Sequence, residues 1–484
     1  MASMGKSSVR AELDKIKQDF KALSKTEKLS SEAVLLFTSL FALFEIVLAI
    51  FMEKKTKKTK NNSGIPSSQT DEDDTAYDPS NQDRKKNKRK PNKGNISNKQ
   101  EKVYQRTISV TDCQCCGEDL SDQAVEDTER RTLIDIIYEK RTTHTDSEIK
   151  TCRKCKTVNK GRFPSNLQGP QQYGNGVKAF IINLIAVQMV ALNRTQQLLF
   201  NMIGRMVSEA VMLKYAFQLY VNLEKWEHEE TEKMIKQKVI NTDETSMKVD
   251  KRKHWIHVCS SGDTVLKFLH PKRGSEAIEH INIIPRFKGT IVHDCWASYL
   301  SYDNCRHGLC GSHILRELEF VKESNGYRWA FNMKRLLKDT AKKVSRRKRK
   351  KLTKKEMIRL RAHYRNILTR GEAEMPDIPV KSKTKRGRIA KSDAHNLLER
   401  LRKHEESILL FAELAEVPFT NNRAERDIRM SKVKQKVSGC FRTERYAKVY
   451  CRISSYIQTM ANKGYTSLAA IEMALTGEIY IKEV

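Results

Sequence analysis

The sequence predicts an α/β core interrupted by a helical insertion, with a small cysteine-bearing module and an N-terminal helix ahead of it. Three observations lead there. Four short runs rich in Val, Ile, Trp and Phe (KVINTDE, HWIHVCSS, TVLKFLHP and TIVHDCW) follow one another between residues 238 and 296. Turn residues separate them: Ser261, Gly262 and Asp263 after the second run, Pro271 and Gly274 after the third. Ser275 to Ile283 is helical in pattern between the third and fourth runs, and strands followed by a helix and another strand indicate an α/β core.

Taken in chain order, residues 1–53 form an N-terminal helical region. Met1 to Lys28 is polar and charged, with no secretory h-region. Val34 to Met52 is almost continuously apolar and matches the ~20 residues a bilayer span needs. Glu45 near its middle argues against lipid. We read the segment as a helix buried in a dimer or against another domain; a membrane anchor is the alternative, and recovery in a salt-soluble fraction excludes it. Residues 54–105, rich in Lys, Asn, Ser and Pro, bury too little apolar surface to fold and read as a basic linker. Residues 106–165 carry the cysteine module, and 166–236 read as helices with apolar runs such as FIINLIAVQMVAL. The core's first part spans 237–330, a basic helical insertion 331–420, and a C-terminal helical part 421–484.

Charge narrows the function. Lys and Arg total 91 against 59 acids, a net charge of +32. Such an excess favours a polyanionic partner, because each neutralised phosphate releases condensed counterions. A ribosomal, membrane-surface or merely soluble basic protein is the bland alternative. The excess is concentrated in the insertion: Lys334 to Arg361 holds fifteen Lys and Arg against Asp339 and Glu356. Arg346, Arg347, Lys348, Arg349, Lys350 and Lys351 are the candidate contacts to DNA phosphates, with a solvated charged face as the competing reading.

Eleven cysteines in a chain of this length do not form an extracellular disulfide framework. Cys113 and Cys116 make one CxxC pair, Cys152 and Cys155 another, and four thiolates in two knuckles are the ligand set of a structural tetrahedral Zn²⁺ site. Gly117 after the first pair suits a tight turn, Lys156 stands at the equivalent place after the second, and Cys115 is a spare. A zinc ion there would fold a module that otherwise lacks a core.

Phosphodiester transfer by two divalent cations needs hard oxygen ligands converging on one spot. Asp243 ends the run KVINTDE but for one residue, and Asp294 closes TIVHD; both fall at the carboxyl ends of expected strands, where α/β sheets place their sites. Each acid alone also has a structural explanation as a strand cap. Glu425, in PFTNNRAERDIRMSK, lies one turn after Asn422. Asn422 as N-cap with Glu425 at the third helical position makes a capping-box-like pair, which physics alone favours over a ligand role. Glu244, Glu317 and Glu319 compete as the third acid, and His313 in CGSHILREL receives no role.

At these residues the chain resembles the insertion-sequence-66 family of bacterial transposases through most of its length. The apolar N-terminal helix, the KKTKNNSGIPSSQ linker and the paired CxxC module come in the family's order, followed by FPSNLQGPQQYGNGVKA, TDET, HDCWASY, LCGSHILRELEF and VPFTNNRAERDIRMSKVKQKVSGCFRT. The resemblance implies an RNase H-like catalytic core, a mixed sheet flanked by helices, with a DDE triad of Asp243, Asp294 and Glu425 holding Mg²⁺ or Mn²⁺. It also implies that Cys113, Cys116, Cys152 and Cys155 bind zinc and that the first helix belongs to a leucine-zipper-like dimerisation region. Arg423, Arg426 and Arg429 flank Glu425, with Arg423 and Arg426 as candidate DNA contacts.

The expected activity is metal-dependent cleavage and strand transfer at the ends of an insertion sequence. The expected partners are double-stranded DNA, further copies of the chain to hold two element ends, and small accessory proteins encoded alongside. No small-molecule substrate is expected, and the location is cytoplasmic, with the nucleoid. A non-catalytic, zinc-containing DNA-binding protein derived from a transposase is the second reading.

Overall fold

The computed structural model describes residues 106–133, 140–164, 167, 169–378 and 391–479, together with Ile16, Gln18, Phe20, Phe37, Ser39 and Leu40. The apolar segment 34–52 lies outside the described residues except at Phe37, Ser39 and Leu40, and the linker 54–105 lies wholly outside them. The chain divides into two units, 1–70 and 71–484, and the second carries every element below. Among the described residues, no helix is long and apolar enough to cross a membrane.

The cysteine module contains one antiparallel pair, β1 (Ile149–Thr151) with β2 (Val158–Lys160). The helices expected over 166–236 follow: α1 (Asn175–Ile182), α2 (Leu192–Ile203), α3 (Glu209–Asn222) and α4 (Glu224–Ile235). A π-helical turn, Asn183–Val187, extends α1.

The core sheet has five strands: β3 (Val239–Val249), β4 (Arg252–Ser261), β5 (Thr264–His270), β6 (Thr290–His293) and β7 (Arg306–Leu309), in the order β5-β4-β3-β6-β7. β3, β4 and β5 run antiparallel in a meander, whereas β6 is parallel to β3 and β7 to β6. This mixed order is compatible with an RNase H-like core. Between β5 and β6 lies α5 (Ser275–Ile281), and α6 (Ala297–Leu300) precedes β7. The expected helix to Ile283 stops at Ile281 because Asn282 turns into the left-handed region at φ 56°.

The inserted helices are α7 (Gly311–Asn325), α8 (Arg328–Arg346), α9 (Lys354–Glu374), α10 (Asp393–Lys403) and α11 (Glu405–Glu413). On α8, Trp329, Met333, Leu337, Ala341 and Val344 recur at helical spacing and are buried, leaving the cations on the opposite side. The insertion thus has its own core, which joins the sheet through Val292 and Leu309. α8 and α9 are clasped at both ends. Glu374 accepts from the backbone of Arg328 and Trp329, and Glu356 takes Arg347 and Lys343 while completing a capping box with Thr353.

Three helices close the fold: α12 (Asn422–Ser438), α13 (Glu444–Asn462) and α14 (Ser467–Thr476). α12 covers one sheet face, where Ala424 and Ile428 pack on Val258 and Val265. The other face, through Ile240, Cys259, Leu266 and Ile291, joins a core with α1, α3, α4, α13 and α14. α13 also seals the outer edge of β5. Ser455 Oγ accepts from Lys267 N at 2.8 Å, while Thr459 Oγ1 accepts from Val265 N at 3.0 Å and lies 3.2 Å from Val265 O. An edge strand's unpaired amides are thereby withheld from other chains.

One close approach fixes where the insertion leaves the sheet. A β-carbon at Gly311 would sit 2.3–2.7 Å from the ring of Phe419, while Gly311 N donates to Phe419 O at 2.8 Å. Neither element can retreat without breaking that bond. Gly311→Ala should therefore cost about 1–3 kcal/mol, as overpacking does in well-packed interiors. Chemical denaturation checks this.

Candidate active site

The site is assembled where α12 starts. Asn421 stands at its N-cap, yet its side chain makes no capping bond. It is spent on the sheet: Nδ2 donates to Thr242 O at 2.8 Å, Oδ1 accepts from Asn241 Nδ2 at 2.9 Å, and its backbone N–H points at Cys310 Sγ at 3.1 Å. The cap expected at Asn422 is therefore displaced by one residue, and Glu425 is not in a capping box. At the far end of the strand, Lys432 Nζ holds Ser246 O at 2.8 Å. α12 is thus pinned along β3 on both sides of Asp243.

Asp243 is not at the end of its strand, as its sequence context suggests, because β3 runs on to Val249. It does lie beyond the parallel part, whose last pair is Asn241 with Val292. Continuing that register two places brings Asp243 beside Asp294, the first residue after β6. Asp294 Oδ1 accepts from Trp296 N at 3.2 Å, which sets its side chain in the turn. Asp243 shares its sheet face with its β4 neighbour Val258, on which α12 packs. Burial, and then the charges of Glu244, Glu425 and Asp294, push the Asp243 carboxyl well above the usual carboxylate range. Asp243 therefore feels both of the other sequence candidates, although the three carboxylates do not form one donor group within 4.8 Å among the described residues.

His313, on the first turn of α7, enters the same space. Its Nδ1 is 3.6 Å from Glu425 Oε1, and Cys310 Sγ completes a group whose donor atoms all lie within 4.8 Å of one another. Burial and the nearby Arg316 lower the His313 pKa, against the pull of Glu425 and Asp294. Burial raises the Cys310 thiol to about 12. Beneath Asp294, the buried His293 pairs with His307 Nδ1 at 3.0 Å and is lowered to about 3 by burial and by His307.

The competing acids are engaged elsewhere. Glu244 points to the opposite sheet face, where Tyr299 donates at 2.5 Å and Arg273 Nε at 2.8 Å. Arg273 lies over the Trp296 ring at 4.1 Å. Glu317 pairs with Arg400, and Glu319 with Lys322 and Lys334. Sequence reasoning named the three acids, passed over Asn421 and Cys310 and gave His313 no role; the NN and CGSH clusters were the available signals.

Among the other candidates, Arg423 is held by Gly262 O and lies 3.8 Å from Asp427, bracing the turn between β4 and β5. Arg426 is half-buried on α12. In the basic stretch, Arg347 is committed to Glu356, and Lys350 Nζ donates to Ser345 O at 2.5 Å. Arg346, Lys348, Arg349 and Lys351 are exposed.

The two cysteine pairs form knuckles of identical pattern. Cys113 N donates to Glu118 O and Gly117 N to Cys113 O; Cys152 N donates to Thr157 O and Lys156 N to Cys152 O. Lys156, at φ 58°, adopts the left-handed conformation that Gly117 takes at φ 76°. Hydrogen bonds lower one thiol of each pair: Cys155 falls to about 7 through Thr157 and Cys152, and Cys113 is lowered through Cys116 and Cys115. The four thiols do not gather into one donor group within 4.8 Å among the described residues.

A mixed sheet with acids at its centre and a basic helical insertion is compatible with a DNA-processing protein of the transposase class. Residues 170–449, more than half of the chain, match the family model described as "Transposase IS66 family", and the chain belongs to that family. No curated protein matches it.

The gathering of acids has a thermodynamic consequence. An acid with a raised folded pKa holds its proton more tightly folded than unfolded, so it destabilises the fold as pH rises above its unfolded value of ~3.9. In chelator, Asp243→Asn should melt at a higher temperature than the parent at pH 7. Its advantage should shrink as pH falls through ~4, below which the parent's carboxyl is protonated in both states.

Proposed function

We propose that this chain is a DDE transposase in which Asp243, Asp294 and Glu425 hold two Mg²⁺ (or Mn²⁺) ions and catalyse cleavage and strand transfer at the ends of an insertion sequence. The observation that carries the reading is the raised Asp243 carboxyl, which feels both Asp294 and Glu425 although the three come from separate segments. Half-buried acids that feel one another's charge are costly unless a cation joins them. Three carboxylates are the hard oxygen set that Mg²⁺ and Mn²⁺ take, so the residues fit the ions. When bound, the ions would supply an acidified attacking hydroxyl and charge stabilisation for the leaving oxygen.

The chain's own residues do the rest. β3 gives Asp243 a rigid post, the Asp294 turn aims the second carboxylate, and Asn421 fixes the helix that carries Glu425. Preorganisation of this kind matters because misplacement by about 1 Å costs rate steeply. The exposed Arg346, Lys348, Arg349 and Lys351 would run along DNA phosphates, and Arg426 would approach the scissile phosphate. Duplex DNA at both element ends requires more than one copy of the chain, and accessory proteins fit the same role.

Asp243→Asn, Asp294→Asn and Glu425→Gln should each lower cleavage of end-labelled element DNA by about 10³-fold or more, since catalytic groups acting as a unit fail together. Binding of the same DNA, read by fluorescence anisotropy, should change by less than about threefold. Cleavage unimpaired in all three variants would remove these acids from the chemistry, and binding without cleavage by the parent would leave a DNA-binding protein.

The knuckles support a structural role for zinc, with Cys113, Cys116, Cys152 and Cys155 drawn together by the ion as part of a zinc-ribbon-like module. Metal analysis of purified protein should give one zinc per chain, and Cys152→Ser should lose most of it. Full zinc retention in that variant would remove Cys152 from the ligand set.

A further inference from the structure

The DDE reading uses only oxygen donors, yet the space around Glu425 contains more. We propose that His313 Nδ1 is a ligand of the ion held by Glu425, so that one of the two metal positions is a mixed nitrogen–oxygen site. The inference rests on the DDE reading for the presence of the ion. Its geometry is independent of that reading.

His313 Nδ1 is buried and has no hydrogen-bond partner, although it lies 3.6 Å from Glu425 Oε1. A buried nitrogen left in this way is costly, by about 1–3 kcal/mol, unless something joins it. The spacing is too long for a good hydrogen bond and suits two donors flanking one cation. Metal–ligand distances of ~2.0–2.2 Å from each side place such donors about 3 Å or more apart. Both Asp294 and Glu425 bear electrostatically on the imidazole, so it faces the acid cluster rather than packing away from it. The backbone enforces this. Gly311, pressed against Phe419, starts α7, and Cys310 N donates to His293 O at 2.9 Å, which ties the first turn of α7 to β6 just before Asp294.

An imidazole in the site changes the preferred ion. Nitrogen donors suit Mn²⁺ and later transition metals better than Mg²⁺. Cys310 Sγ, within 4.8 Å of both other donors, is a third and softer group on the same side. The site would therefore prefer Mn²⁺ to Mg²⁺.

Pulsed electron paramagnetic resonance of Mn²⁺ bound to the full-length protein tests the proposal without reference to turnover. The parent should show a directly coordinated ¹⁴N, and both His313→Gln and His313→Asn should lose it while keeping the parent's melting profile. The Mn²⁺ affinity of these variants should fall about tenfold, with Mg²⁺ affinity changing less than about threefold. A ¹⁴N coupling that survives in either variant, or is absent from the parent while Mn²⁺ binds, overturns the role of His313. Asp243→Asn separates the two readings: if it binds Mn²⁺ as tightly as the parent, the DDE site itself fails, whatever His313 does.

Discussion

The hydrogen bonds of Asn421 hold the site together. One side chain satisfies the Thr242 carbonyl and the Asn241 amide in the middle of the sheet, and the same residue's backbone reaches Cys310 at the start of the insertion. Three segments far apart in sequence therefore meet at one amide. Each bond contributes only ~1 kcal/mol net, but orphaning buried partners costs ~1–3 kcal/mol apiece. The arrangement is accordingly hard to change by degrees. It also explains why the N-cap of α12 forgoes its capping bond: Asn421 gives up local helix stabilisation to fix the helix, and so Glu425, against β3.

That fixation acts against electrostatics. Asp243 resists ionisation because burial and three neighbouring acids oppose it, so the fold is spending stability at this point. The surroundings are neutral or already paired: Glu244 is clamped by Arg273 and Tyr299 on the opposite face, and burial keeps His293 uncharged below. Among the described residues, no cation is among the groups that shift Asp243. A site optimised for stability would look different, with an arginine where the acids now meet.

Much of this was legible in the sequence, and the failures have physical causes. The four apolar runs became strands because β-branched and aromatic residues fit a half-buried pleat. β7 escaped notice because Arg306–Leu309 has only four residues, one of them Gly308, and gains its strand character from pairing with β6. β3 was read too short because polar Thr245, Ser246 and Lys248 broke the apolar pattern after Glu244. The capping box was a sound local inference that lost to a tertiary demand on the neighbouring asparagine. Within the basic stretch, spacing could not reveal that Arg347 and Lys350 are occupied by Glu356 and the Ser345 carbonyl.

The insertion also bears on the site. It leaves the sheet at Cys310 and returns at Phe419, and these two ends touch: Gly311 N bonds Phe419 O, and the Phe419 ring closes over Gly311. The helices between them have a core of their own, which is continuous with the sheet through Val292 and Leu309. Such a body transmits force at its root. The chain enters and leaves the insertion beside the segments that carry His313 and Asn421. The residues that arrange the acids are therefore also the anchor of the basic arm, so the packing of Phe419 on Gly311 that seats the arm also sets the start of the helix carrying His313.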